Sequence, residues 1–327
     1  MNDTSPVFRP LLAHAWRASL QYPWLLFFGF FASFLGLGGF WELLFNTQNT
    51  EGAATFMAVV QAIITGNGNT FVRGIAEASR AAPGTIALTA LLFLLLLGIL
   101  VGLLALAALA SATLIDTAHK TALQHRTTFR AAWAVGRRFI YKILGVHLMM
   151  KAGVAVLFLF AGLLFNATFA MRGVFFFIDF LLFIGIVAIA LGVSLLTMYA
   201  VSYIVLRGFM MREAFVTATR LFLRHWLVSL ECASLFFVLS FATGVAALGI
   251  IIYLFQPLLR LSLLLAYATL PGSAPFIMVL WILIVLLLLI GIAAFFTTYQ
   301  TITWTLLFMR LTERGATPKL IRLFHKK

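Results

Sequence analysis

Charge is scarce in this chain, and acidic charge is scarcest: of 327 residues only 10% are charged, and nine are Asp or Glu. No two carboxylates stand close together on one apolar stretch, so the paired acid and base of a hydrolytic site are missing. There is one cysteine, Cys232, so no intramolecular disulfide can form and no cysteine cage can hold zinc. Also missing are a G-x-S-x-G elbow, an H-E-x-x-H pair and a Walker A loop. The run Gly36-Leu37-Gly38-Gly39 follows no strand and cannot be a dinucleotide fingerprint; small residues there let helices approach. His147 has no second histidine or carboxylate three or four residues on, and reads as a packed side chain. No catalytic residue, metal site or cofactor is expected, and the role read from these absences is non-enzymatic.

What the chain has instead is apolar surface: 63% of its residues are hydrophobic and 15% aromatic, far outside the range of a soluble domain. Stretches long enough to cross about 30 Å of hydrocarbon lie at Trp24–Phe45, Thr85–Ile115, Ile143–Met171, Val174–Leu206, Trp226–Phe255 and Phe276–Met309. Barrel strands would be short and alternating, and these runs are neither. The fold class is all-α, a polytopic membrane bundle of six transmembrane helices. The first span lacks a cleavage pattern and follows two arginines, so it reads as retained.

Basic residues set the orientation. Eighteen fall on one side of that topology, in the N-terminus, the loops after the second and fourth spans, and the tail 311–327 with neighbouring Arg310. Arg73, Arg80, Arg172 and Arg260 fall on the other, and Lys151 lies within the third span. This bias places both termini in the cytoplasm of a cell with the chain in its inner membrane. The net charge of +14 is spread along the membrane boundary, which points to anionic headgroups and not to nucleic acid, for which no groove-reading module is present.

One short element occurs three times, at Arg9–Gln21, Arg130–Lys142 and Arg212–Arg224. Without gaps, Arg9, Arg130 and Arg212 align, then Leu12, Trp133 and Phe215, then Arg17, Arg138 and Arg220, with Lys142 and Arg224 closing copies two and three. At about 100° per residue the basic positions share one face, while Trp133, Phe139 and Ile140, or Phe215, Leu221 and Phe222, share the other. Such helices are expected to lie flat in the cytoplasmic interface with rings in the lipid and guanidinium groups at the phosphates. Pro23 ends the first copy. The chain therefore reads as three repeated units of interfacial helix plus hairpin, approximately 7–119, 126–207 and 208–310. The elbows either anchor the hairpins or form a docking surface.

Between the spans, two outer connections stand out. The first, 46–83, is expected to hold a short surface or re-entrant helix at Phe56–Ile64, and a second segment, Pro257–Pro275, is expected to rest on the outer boundary. Inside the spans, Lys151 and Glu231 sit at similar depths from the cytoplasmic side, and either pair or snorkel separately to the headgroups. Tyr203, Thr297 and Thr301 belong to rows of hydroxyl residues that either pack helices together or line a polar inner cavity with that pair. These five form the candidate intramembrane site.

The stretch Ala15–Ala32, with its tryptophan, proline and glycine, and the stretch Ala214–Trp226 are similar to segments of bacterial six-span membrane proteins of the UPF0259 type. They also resemble the membrane domain ahead of some glycerophosphodiester phosphodiesterases. The resemblance implies a six-span topology and carries no catalytic residues; the phosphodiesterase domain itself is absent. The function expected is that of an accessory or organising membrane component engaging anionic lipid. The alternative is a transporter, channel or lipid-translocating protein with a polar cavity around Lys151 and Glu231.

Overall fold

The computed structural model describes residues 8–33, 83–169, 176–267 and 273–313. These residues form eight helices and no strand: α1 (Phe8–Gln21), α2 (Trp24–Ser33), α3 (Pro83–Ala122), α4 (Phe129–Phe169), α5 (Phe176–Arg207), α6 (Met211–Arg224), α7 (Trp226–Tyr267) and α8 (Ser273–Glu313). Five of them, α3, α4, α5, α7 and α8, are long and apolar enough to cross a membrane. The first expected span enters the described residues only as α2. Its remainder, the connection 46–83 up to the start of α3, and the tail beyond Glu313 lie outside them.

Local chemistry sets the helix ends. Pro23 has no N–H to continue α1, and the chain turns there through Leu25 N–H to Tyr22 O at 2.9 Å. After α3, Gln124 takes φ 60°. His125 N–H then reaches Lys120 O and Gln124 N–H reaches Thr121 O, a Schellman cap on a non-glycine residue. After α5, Gly208 takes φ 70° and its N–H caps Ile204 O at 3.1 Å. Two departures from the sequence reading follow from the same logic. Pro257 does not end α7, which runs on to Tyr267; the expected boundary segment Pro257–Pro275 is helical through its first half. A buried or membrane helix tolerates the one hydrogen bond that proline removes. The second repeat copy, Arg130–Lys142, is not a separate elbow either. It opens α4, an unbroken helix of 41 residues, because nothing between Lys142 and Val146 withholds an N–H.

Three helices, α3, α5 and α8, meet at the centre, and α2 packs between α3 and α8 while α4 packs between α3 and α5. Helix α7 lies along α8 and reaches α5 through Tyr199 Oη and Ser229 Oγ, 2.7 Å apart. Each of these neighbours is tied by one hydroxyl. Thr298 Oγ1 donates to Leu25 O at 3.2 Å, Thr113 Oγ1 to Ala132 O at 3.3 Å, and the Tyr199–Ser229 pair is the third. The core sits at the end carrying the α3–α4 and α5–α6 links, labelled the inner end after the orientation expected from charge, around Leu114, Ile204, Tyr199, Leu307 and Phe308. Towards the outer end large apolar side chains are exposed, among them Leu94 to Leu97, Phe183, Phe237 and Leu287. Surface of that extent is stable only where the solvent is lipid.

Candidate functional site

The three basic elements all sit at the inner end, and in each the apolar face is used within the protein. In α1, Ala15, Ala18 and Ser19 are buried, and Trp16 sets its ring edge-on to Phe295 at 5.0 Å and Tyr299 at 6.0 Å. At the start of α4, Trp133, Phe139 and Ile140 pack on the core. Trp133 and Phe129, stacked on each other, also meet Phe28 of α2 at tilted angles, 5.9 and 5.2 Å between centroids. In α6, Ala214 and Ala218 are buried and Phe215, Leu221 and Phe222 pack on the core. The expectation gave these rings to lipid, and the bundle takes part of their surface. Protein and lipid are both apolar partners, and the helix takes whichever its connections hold against it.

The opposite faces are open. Arg9, Arg17, Arg130, Arg138, Arg212, Arg220 and Arg224 are exposed, and Lys142 is half-buried. Arg138 lies over the ring of Phe139, 5.8 Å from its centroid, which holds the guanidinium at the border of the apolar face. Sequence reasoning missed His225, the residue at which α6 stops. Its N–H is shared between Leu221 O and Phe222 O, both at 3.1 Å, and its own carbonyl accepts Ser229 Oγ at 3.0 Å. Partial burial, and after it the neighbouring Arg224, hold its pKa below the ordinary histidine value. No proline or glycine marks this break, so the sequence offers no signal for it. Phe129 was missed too, although its one-turn spacing from Trp133 is the signal that pairs them.

The five intramembrane candidates are dispersed. Lys151 is exposed on α4 and Glu231 half-buried on α7, and α4 packs on α3 and α5 whereas α7 packs on α8. Tyr203 is buried, stacked on Phe209 at 5.6 Å and edge-on to Phe308 at 4.7 Å. Thr297 and Thr301 are half-buried on α8. The hydroxyls around them are turned to their own helices: Thr197 to Val193 O, Ser202 to Met198 O, Thr303 to Tyr299 O and Thr305 to Thr301 O, at 2.8 to 2.9 Å. That is the packing use of such residues. Asp116 is held by Lys120 one turn on, at 2.5 Å. Among the described residues no three His, Cys, Asp or Glu side chains come together as a metal site. The chain matches no protein-family profile, no curated protein and no solved structure.

Proposed function

We propose that this membrane protein crosses the inner membrane six times as three hairpin units, each opened by a basic helical segment that in the second unit runs directly into its span, with both termini cytoplasmic. In this reading it is a non-enzymatic accessory component that gathers anionic headgroups against its basic faces. The observation that carries the reading is the exposure of seven arginines on elements whose opposite sides pack on the bundle. A cationic face fixed to a bundle at headgroup height needs no folding on binding, and each basic residue near an anionic surface contributes about 1 kcal/mol. The three-unit layout is supported by the placement of α3, α5 and α8 at the centre and by the three hydroxyl ties to α2, α4 and α7. It is also the topology implied by the resemblance to the six-span proteins. The transport reading is less favoured, because Lys151 and Glu231 lie on helices that pack elsewhere.

The test uses the full chain in detergent, with co-purifying phosphatidylglycerol counted by native mass spectrometry. Removing two contacts of this size costs about 2 kcal/mol, so R138E with R220E is expected to lower retention about thirtyfold. Retention unchanged by the double reversal would remove the proposal.

A further inference from the structure

A cavity of about 230 Å³ opens at the inner end, between the last turns of α3, α5 and α8. Its walls carry both signs of charge, Arg207 and Glu313, together with His119, Thr312, Met309 and the rings of Phe209 and Phe308. Arg207 and Glu313 form no salt bridge with each other, so two opposite charges face one small space without cancelling. The C-terminal ends of α3 and α5 add carbonyl partial charge that favours a cation, and Glu313 strengthens that side. The opposing side offers the guanidinium fork that fits phosphate. His119 Nδ1 rests 3.5 Å from Met309 Sδ; a thioether sulfur only accepts, so the ring proton is used there and Nε2 is left as an acceptor. Thr312 Oγ1 donates to Phe308 O and Met309 O, each at 3.0 Å, so its remaining capacity is to accept. The Phe209 and Phe308 rings are fixed by Tyr203 between them.

We propose that this cavity binds a phosphate–primary amine zwitterion of the phosphoethanolamine class, phosphate at Arg207, ammonium at Glu313, Thr312 and His119 Nε2. A primary ammonium has three N–H donors for these acceptors, whereas a quaternary choline has none. The cavity lies where the apolar spans end, so the ligand is a lipid headgroup or the free phosphomonoester. The proposal rests on the membrane topology given above but not on the basic faces.

The full chain in detergent is offered equal amounts of phosphatidylethanolamine and phosphatidylcholine, and bound lipid is read by native mass spectrometry. A charge-assisted hydrogen bond is lost with choline, so ethanolamine lipid is expected to be retained about tenfold better. E313Q is expected to erase that preference, E313D to keep most of it, and R207Q to lower both lipids together. Displacement of the bound lipid by millimolar O-phosphoethanolamine would assign the free compound as a ligand, and its failure would assign the lipid. Equal retention of the two lipids by the native chain, or an E313Q protein that still prefers ethanolamine, overturns the proposal. Because phosphatidylglycerol and the arginine reversals do not enter this comparison, its failure is separable from failure of the basic-face reading.

Discussion

Glycine marks where two pairs of helices, α2 with α8 and α3 with α4, approach closely. A Cβ on Gly136 would lie 2.5 Å from Thr113 Oγ1 and 2.8 Å from Leu109 O, and one on Gly29 would run into Thr298 Oγ1 and the Ala294 carbonyl. Backbone cannot yield as a side-chain tip can, so G29A or G136A is expected to destabilise the protein by about 1–3 kcal/mol. Gly153 has nothing within 4 Å, and G153A should be neutral or stabilise by up to about 1 kcal/mol through helix propensity. Unfolding midpoints of the three variants in one detergent would check this contrast; equal effects at Gly136 and Gly153 would contradict it. His225 gives a prediction in pH. Its folded pKa lies below the ordinary value, so as pH falls below about 6.5 the unfolded chain takes up the proton first. Stability contributed at neutral pH is therefore lost between that value and the lower folded one. H225Q should flatten the part of the pH dependence of the unfolding midpoint that falls in this window. None of these close contacts was legible from sequence: Gly29 and Gly136 read like Gly153 until neighbouring helices are placed.

Between residues and bundle, the elements divide into parts the sequence specified and parts it left open. Apolar length alone located the five long helices, and the 100° periodicity found the basic face of each repeated element. Periodicity did not say what the apolar face would meet, since a leucine gains as much from a neighbouring helix as from an acyl chain. It also gave depth without azimuth: Lys151 and Glu231 share a height in the membrane, but only helix order decides whether they meet. Helix breaks were legible at Pro23, misread at Pro257 and invisible at His225. Docking of α1 depends on Trp16, whose two edge-on ring contacts reach α8. Such pairs contribute about 0.5–1.5 kcal/mol beyond burial. W16A is therefore expected to lower amide-exchange protection across α1 by up to about tenfold, leaving α6, which packs on α5, unchanged. Uniform loss of protection in both elements would mean that α1 is not docked through this residue.

For the molecule as a whole, sidedness is the property on which both lipid proposals depend, and α7 provides its most direct test. At about 1.5 Å per residue the rise from Trp226 to Arg260 is about 50 Å, which exceeds the hydrocarbon thickness of about 30 Å. A helix of that length starting at the inner boundary must deliver Arg260 beyond the outer one. Arg126, Arg224 and Arg260 are exposed, and Cys232 is buried, so single cysteines can be placed at these three sites on a C232A background. The excess of basic residues at the inner end predicts that R126C and R224C react with a membrane-impermeant maleimide only in inverted vesicles, and R260C only in intact spheroplasts. Labelling of R224C and R260C from the same side would mean that α7 does not cross. The inner cavity would then lose its place at the headgroups, and the exposed arginines would lose the anionic surface they are read to bind.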